Sequence, residues 1–188
     1  GAFGTGCLFI DQLRDAQDRR AKGLRYRAIH LGEIYFLENH QGIIDTAMRK
    51  FELTARQAAQ LFGTDNLPDK IRTALTSTEN GAKDKKFWFI HCVKPRLEDE
   101  GYDPESYTVK GMAYASYHIA IEDHKIVKEG GYNTFPYSIS RYVVAPGELY
   151  GRSPAMMALP SIKVLNEQKK TVLKQGHRAV DPVLLAHD

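Results

Sequence analysis

Seven histidines are the residues of this sequence that first suggest metal chemistry. They are scattered along the chain: His30, His40, His91, His118, His124, His177 and His187. No pair has the His-x-x-x-His spacing that places two imidazoles on one face of a helix, as zinc sites often require. His91 and His118 lie in predicted strands and could meet across a sheet, where packing or hydrogen bonding is their commoner role. We predict no metal site and no cofactor.

A nucleophile activated by a nearby base is no better supported. Cys7 and Cys92 lie in apolar segments, where a thiol is usually inert. Ser153 and Ser161 have positions typical of helix caps, and no set of residues supplies an acid, a base and an oxyanion donor. We therefore predict no catalytic residue and no enzyme. The alternative is a metal-dependent nuclease or hydrolase domain that uses the scattered histidines.

Positive charge, in contrast, gathers on one long predicted helix. At about 100° per residue, one side carries Lys163, Lys170, Lys174, His177 and Arg178, with Glu167 among them. The other side carries Ala158, Ile162, Leu165, Val172 and Gly176, together with the exception Lys169. Either this is an ordinary amphipathic helix with a solvated basic face, or it packs on copies of itself and turns that face to a polyanion. Spacing does not choose between the two.

The ends of this helix have local signals. Ser153 is a favourable N-cap, and Pro154 occupies the first helical position, where its missing N–H costs nothing. Pro160 removes an N–H further in and should kink the helix or split off a short first turn. Asp181-Pro182 predicts the end, because a residue before proline is disfavoured in helical geometry. We predict that a strand begins at 183–185.

The region before the helix is predicted to be mostly antiparallel β-structure. Strands are predicted at 3–10, 24–30, 34–37, 43–53, 87–94, 107–121, 125–128 and 137–144. The charged segment 11–22 is predicted as a loop or short helical turn, and Gly130-Gly131 as the end of a strand. Thr54 and Gln57 form a capping-box pattern that starts a helix ending at Gly63, and a second short helix is predicted at 68–75.

The opening glycines and the tyrosines form two further patterns. The opening GAFGTG lacks the lysine and following helix of a phosphate-binding loop, so its glycines are predicted to let backbones pack closely. Seven tyrosines crowd the stretch from Tyr102 to Tyr142, which is typical of a protein interface or of cross-strand aromatic pairs. The pattern favours neither.

The totals exclude some classes of protein. Of the 188 residues, 43% are hydrophobic and 26% charged, which is ordinary for a globular domain, and a net charge of +3 is too small to indicate nucleic-acid binding by itself. Two cysteines do not make a disulfide scaffold, so a reducing compartment is expected. No apolar run approaches the roughly 20 residues that cross a bilayer, and no membrane partner is predicted. Both ends look cut, so we expect a piece of a longer protein.

Several segments resemble the head-to-tail connecting (portal) proteins of T7-like short-tailed bacteriophages. The most specific is Tyr150-Gly151-Arg152-Ser153-Pro154, which leads into the helix and later Asp181-Pro182. Further similar segments are 158–163, 165–166 and 183–185, and in the first half 3–6, 28–35 and 51–57. The resemblance covers essentially the whole chain.

The resemblance implies a structural subunit of a homo-oligomeric ring, usually a dodecamer. Such a ring lies at the portal vertex of the virion, is assembled in the host cytoplasm, and forms the channel for packaging and ejecting double-stranded DNA. Its implied partners are terminase, capsid, scaffold and tail adaptor proteins. It also implies an α+β chain with a wing-like region at 1–148, a long stem-like helix at 149–180 and the start of a clip-like strand at 181–188.

Together, the helix pattern and the resemblance assign roles to its two sides. Lys163, Lys170, Lys174 and Arg178 are predicted to face the DNA channel. Ala158, Ile162, Leu165, Val172 and Gly176 are predicted to pack against other subunits. The DNA contact would involve phosphates without reading base sequence, and salt would weaken it.

Overall fold

The computed structural model describes residues 3–14, 21–79, 81–97 and 101–182. The chain divides into two compact units. One comprises Gly6–Ser140, and the other joins the start of the chain to the segment from Arg141 onward. The first unit is called here the sheet unit and the second the helix unit, and each is described by itself.

The sheet unit contains two antiparallel sheets and two short helices. The strands are β1 (Thr5–Arg14), β2 (Ala21–Ile29), β3 (Ile34–Glu38), β4 (Ile44–Thr54), β5 (Lys86–Pro95), β6 (Tyr114–Ala120), β7 (Lys125–Tyr132) and β8 (Tyr137–Arg141). A five-stranded sheet has the order β3-β4-β5-β6-β7, and a three-stranded sheet the order β2-β1-β8. The helices are α1 (Ala55–Phe62) and α2 (Asp69–Thr76). With α3 (Pro154–Val180) in the helix unit, the predicted α+β class is confirmed.

Local signals start and end α1 as predicted. The Thr54 side chain accepts a hydrogen bond from the Gln57 backbone N–H, and the Gln57 side chain accepts one from the Thr54 N–H at 3.0 Å. Gly63 ends the helix with a φ of 78°, a conformation that glycine adopts without strain. Because both caps are satisfied, this eight-residue helix can form against the sheet although it is too short to be stable alone.

The core of the sheet unit lies between these helices and one face of the five-stranded sheet. Phe89, on the central strand β5, is fully buried and packs against the rings of Phe51 and Phe62. Leu67 and Ile71 belong to the same apolar cluster. Burying a phenylalanine side chain contributes about 1.5–3 kcal/mol, so this cluster stabilises the unit from within.

The predictions for three segments differ from the structure. In the segment 11–22, predicted as a loop or short helical turn, residues 11–14 belong to β1 and residues 21–22 to β2, and the two strands pair there. Residues 15–20 lie outside the described residues. The strand predicted at 107–121 begins only at Tyr114. The strand predicted to stop at Gly130-Gly131 runs on to Tyr132.

Close contacts at two glycines explain why β6 starts later than predicted and why β7 passes through Gly130-Gly131. Residues 109–111 form a short 3-10 turn, and Gly111 approaches the Ser106 carbonyl so closely that a Cβ atom would collide with it. A Cβ at Gly131 would lie 2.8 Å from the Cβ of Met112. Glycine is therefore required there by packing, and it does not end the strand.

In the helix unit, α3 is one continuous helix of 27 residues. Pro160 is predicted either to kink the helix or to split off a short first turn. The helix continues through Pro160, so a separate first turn does not form. Ser153 caps the start and Asp181 the end, as the sequence predicted. The strand predicted at 183–185 lies outside the described residues. Within the described parts of the chain, no helix is long and apolar enough to span a membrane.

Candidate functional site

His91, which is buried, and His118, which is half-buried, lie in one polar cluster of the sheet unit. His91 and His118 are directly paired across β5 and β6, with stacked rings whose centroids are 4.2 Å apart. His91 Nδ1 lies 3.0 Å from the Tyr137 hydroxyl, and His91 Nε2 lies 2.9 Å from Ser116 Oγ. The strand histidines therefore meet across the sheet, as their positions allowed.

This cluster has the residue types of a nucleophile with its base, but not the environment. Ser116 is 4% exposed and His91 5%, so a substrate does not reach them. Burial, with a smaller effect of neighbouring cations, lowers the pKa of His91 to about 3 and that of His118 to about 4. Such imidazoles stay neutral at pH 7 and are weak bases. The cluster is a polar part of the core.

The remaining candidate groups for chemistry are equally enclosed or dispersed. Burial raises the pKa of the Cys7 thiol to about 11, which suppresses the reactive thiolate. Among the residues that the structure describes, no three His, Cys, Asp or Glu side chains lie where they could hold a metal ion. Tyr114 and Tyr132 are cross-strand partners, and Tyr137 is buried, so these tyrosines belong to the sheets.

The exposed candidate site is α3 with the segment that leads into it. Gly4 and Thr5, at the start of the chain, contact this segment in the helix unit. The Gly151 N–H donates to Thr5 Oγ1 at 2.7 Å, and the Tyr142 N–H donates to the Gly4 carbonyl at 2.8 Å. A Cβ on Gly4 would collide with the backbone of residues 151–153. The predicted close packing of backbones at the opening glycines is therefore confirmed for Gly4.

The same segment fixes the first turn of α3. The Arg152 N–H donates to the Val143 carbonyl at 2.6 Å, and the Arg152 guanidinium forms a two-point ion pair with Glu148. That hydrogen-bonded pair holds the pKa of the Glu148 carboxyl below its usual value. Ser153 is buried, and its hydroxyl accepts the Met156 N–H at 3.0 Å. The Gly-Arg-Ser-Pro motif is thus an anchor that sets the direction in which α3 begins.

From this anchor, α3 presents all 27 of its residues to solvent. The predicted DNA-facing residues Lys163, Lys170, Lys174 and Arg178 lie on one side, as the helical period requires. Lys170 Nζ is 3.4 Å from Glu167 Oε1, the single carboxylate within the helix. The basic residues are therefore brought together, with only one acidic side chain among them.

The predicted packing residues are exposed as well. Ile162, Leu165 and Val172 have relative exposures of 45%, 50% and 65%. Ala158 is also exposed, and a Cβ on Gly176 would contact nothing within 4 Å. Contact with other subunits stays a prediction for all five residues. Their exposure, however, leaves all five residues available for a contact with another subunit.

Sequence reasoning missed two features of this site. It did not find the contact of Gly4 and Thr5 with the helix anchor, because the hydrogen-bonded residues Thr5 and Gly151 are 146 positions apart. It also missed a shallow groove on α3, which is lined by Lys163, Val164, Glu167, Gln168, Thr171 and Val172. The helical period contained a signal for the groove, since most of these residues share one side.

In the described residues the groups suited to chemistry are buried or dispersed and the basic side of α3 is exposed, an arrangement more typical of binding or assembly than of catalysis. The whole chain, residues 1–188, matches the family model for bacteriophage head to tail connecting proteins, and the chain belongs to that family. This membership lends no support to the nuclease or hydrolase alternative. The narrower T7-like grouping stays a prediction.

Two curated relatives agree with the family. The chain is 28% identical to the portal protein of Salmonella phage epsilon15 over 189 aligned residues, which cover 99% of this chain and 32% of the relative. It is 26% identical to the probable portal protein of Bordetella phage BPP-1, over 90% of this chain and 29% of the relative. The chain spans about a third of the length of these relatives.

Proposed function

We propose that this chain is the part of a phage portal subunit that carries the helix lining the DNA channel. In this proposal the subunit is a structural, non-enzymatic component of a homo-oligomeric ring, and the ring lies at the portal vertex of the capsid in the virion. A dodecamer is the expected ring. Its proposed partners are double-stranded DNA and the terminase, capsid, scaffold and tail adaptor proteins.

The observation that carries the proposal is the complete exposure of α3 combined with its one-sided charge. Val172 and Leu173 on this 27-residue helix are each 65% exposed. Such exposure is atypical of a protein that functions as a monomer, because apolar side chains at helical spacing usually face a partner. Family membership supplies the partner chemistry, since portal rings surround DNA.

Electrostatics supports a weak contact that does not depend on base sequence. Lys163, Lys170, Lys174 and Arg178 attract phosphates and release counterions, and their effect is multiplied by the number of subunits. Glu167 offsets part of that charge, which suits a channel through which DNA must slide. The competing role for the basic side is pairing with acidic residues of a neighbouring subunit.

The proposed layout places the wing-like region at 1–148, the stem-like helix at 149–180 and the start of the clip at 181–188. The strand content of the sheet unit supports the first assignment, and the length of α3 supports the second. These names describe roles in a ring, and an assembled particle is needed to test them.

Negative-stain electron microscopy of the full-length parent protein tests the ring directly. We expect rings with a central hole. Compact particles of single-subunit size, at concentrations where portal proteins assemble, would contradict the proposal.

The channel role of the basic side has a separate test. A variant with Lys163, Lys170 and Lys174 changed to Gln should still form rings, but DNA packaging should decrease or change its dependence on salt. The matched control changes Lys83, Lys110 and Lys125, three exposed lysines of the sheet unit, to Gln. Normal packaging by the first variant would exclude the channel role and favour pairing between subunits.

A further inference from the structure

β2 is an exposed edge strand of the three-stranded sheet. It pairs with β1, and the described strands place no neighbour on its other side. Residues 23–28 are all exposed, although they alternate between the two faces of the strand, and Leu24 and Tyr26 are each 60% exposed. An edge strand with open backbone groups is a template for pairing with another chain.

A hydrogen bond of β1 shows which backbone groups of β2 point outward. The Ile10 N–H donates to the Pro136 carbonyl at 2.9 Å, just before β8 and on the side of β1 away from β2. Ile10 and Tyr26 are direct partners, so they form a pair that does not exchange hydrogen bonds. The N–H and C=O groups of Tyr26 therefore point away from β1, and those of Leu24 and Ala28 do as well, because the direction alternates along a strand. These three residues are called here the free edge of β2.

The side chains beside this edge differ between the two faces of β2. One face carries Leu24, Tyr26 and Ala28, and the other carries Arg25 and Arg27. A strand added to the free edge would therefore meet apolar groups on one face and guanidinium groups on the other.

The positive charge of the arginine face is only partly neutralised. On β1, the uncharged Phe9 lies opposite Arg27. Burial, together with neighbouring cations, lowers the pKa of the Arg27 guanidinium. Glu33 attracts Arg27, but its carboxylate also accepts two hydrogen bonds from the Arg49 guanidinium, at 2.9 and 3.1 Å. One carboxylate thus serves two cations, and a further carboxylate would improve the surroundings of Arg27.

Charge complementarity favours an acidic strand over a second copy of β2. In an antiparallel pair of two β2 strands centred on Tyr26, Arg25 of one copy would lie opposite Arg27 of the other. Like charges directly opposite each other destabilise a strand pair, whereas opposite charges stabilise it. β1 already has the favourable pattern at one position, since Asp11 lies opposite Arg25.

We propose that the free edge of β2 binds an acidic, extended segment of a partner protein by strand addition. The backbone of that segment forms hydrogen bonds with Leu24, Tyr26 and Ala28. Its carboxylates, at alternate positions, lie opposite Arg25 and Arg27, and its intervening residues are apolar. Backbone hydrogen bonds supply affinity in this mode of recognition, and the alternate side chains supply specificity. The contact does not depend on the proposed ring, because every residue that carries it lies in the sheet unit.

A synthetic peptide tests the docking. The probe is acetyl-Val-Glu-Val-Glu-Val-amide with a fluorescent label on a linker, and fluorescence anisotropy measures its binding to the full-length parent protein. In the proposed register the middle valine lies opposite Tyr26, and the glutamates lie opposite Arg25 and Arg27. We expect saturable binding, and none for the peptide with lysine in place of glutamate. If the acidic peptide does not bind, the proposal is wrong.

Methylation of single peptide nitrogens tests the backbone contact. The N–H of the middle valine would donate to the Tyr26 carbonyl, so methylating that nitrogen should weaken binding by about fivefold or more. Methylating a glutamate nitrogen, which would point away from β2, should leave the affinity within about twofold, because no hydrogen bond to the protein is lost. Equal losses at the two positions would contradict strand addition.

Variants of the protein separate the edge from the charge. Ala28→Pro removes an outward N–H and keeps the pairing with β1, because proline is tolerated where the N–H of an edge strand faces solvent. It should weaken peptide binding by about fivefold or more, whereas Ala28→Ser should not. Arg25→Gln and Arg27→Gln should each weaken it by about two- to fivefold, and Arg56→Gln, on the exposed side of α1, is the matched control.

Two further outcomes would overturn the proposal in recognisable ways. A short DNA duplex whose binding is weakened by Arg27→Gln but not by Ala28→Pro, and which displaces the peptide, would show that the arginines contact phosphates. Rings in the electron microscope without peptide binding would remove the strand contact and leave the portal function intact.

Discussion

The sheet unit and α3 use apolar residues in opposite ways. In the sheet unit, Phe89 is fully buried among other aromatic side chains, and even the polar residues His91 and Ser116 are enclosed and hydrogen-bonded. In α3, Val172 and Leu173 are as exposed as surface residues. The sheet unit therefore has its own core, whereas the apolar surface of α3 is available to a partner.

Charge follows the same contrast. In the sheet unit, Arg49 pairs with Glu33 at 2.9 Å, and the buried Arg96 pairs with Glu129 at 3.2 Å. In α3, five cations, Lys163, Lys169, Lys170, Lys174 and Arg178, accompany one carboxylate, Glu167. Burial requires a partner for each charge because an unpaired buried charge is very costly, whereas solvent screens an excess on an exposed helix. The excess positive charge on α3 is therefore tolerated in the free chain and remains available to bind an anion.

The largest effect is expected from a substitution in the core of the sheet unit. Phe89→Ala should lower the free energy of unfolding by about 3–5 kcal/mol, because it leaves a cavity beneath α1. Val172→Ala, on α3, should change it by less than about 0.5 kcal/mol. Urea unfolding followed by fluorescence of Trp88, the single tryptophan, measures both. Equal losses from the two variants would contradict the contrast between the regions.

Acid should weaken the sheet unit next. The folded-state pKa values of His91 and His118 lie below the usual 6.5. The free energy of unfolding that depends on these two histidines is therefore at its maximum above pH 6.5 and falls as the pH drops toward 4. The loss is about 1.4 kcal/mol per pH unit for each histidine. Urea unfolding between pH 7 and 5 measures this slope.

Two variants assign the acid effect to the cluster. His118→Phe should reduce the slope by about half, because one of two titrating groups is removed. His40→Gln, at an exposed position, should leave it unchanged. A slope that His118→Phe does not alter would place the acid sensitivity elsewhere.

The anchor of α3 should respond to a single methyl group. Gly4→Ala forces a Cβ against the backbone of residues 151–153 and should cost about 1–3 kcal/mol locally. Hydrogen exchange at the Tyr142 and Gly151 amides should accelerate by about tenfold or more, since about 1.4 kcal/mol corresponds to a factor of ten. Gly6→Ala is the matched control, because a Cβ there meets nothing within 4 Å. Unchanged exchange in Gly4→Ala would show that the close contact is absent in solution.

The smallest effects are expected from removing the N-caps of α1 and α3. Thr54→Ala removes the cap of α1 and should lower the stability of the sheet unit by about 1 kcal/mol, whereas Thr54→Ser should restore most of it. Ser153→Ala removes the cap of α3 and should leave the Trp88 unfolding transition unchanged. A shift of that transition by Ser153→Ala would show that the two regions unfold together.

The sequence by itself determined the features that depend on neighbours three or four residues away. The capping box at Thr54, the cap at Ser153 and the end of α3 at Asp181 were all predictable, because their hydrogen bonds join residues close in sequence. The separate sides of α3 were also predictable, since helical period alone places Lys163 and Lys170 together. The family resemblance rested on the same local segments.

Tertiary structure decided what depends on distant surfaces. The start of β6 at Tyr114 and the passage of β7 through Gly131 follow from close packing that no local pattern reveals. The pairing of His91 with Tyr137 spans 46 positions, and that of Thr5 with Gly151 spans 146. Such contacts form only when the fold brings two surfaces together, so their partners cannot be deduced from residue spacing.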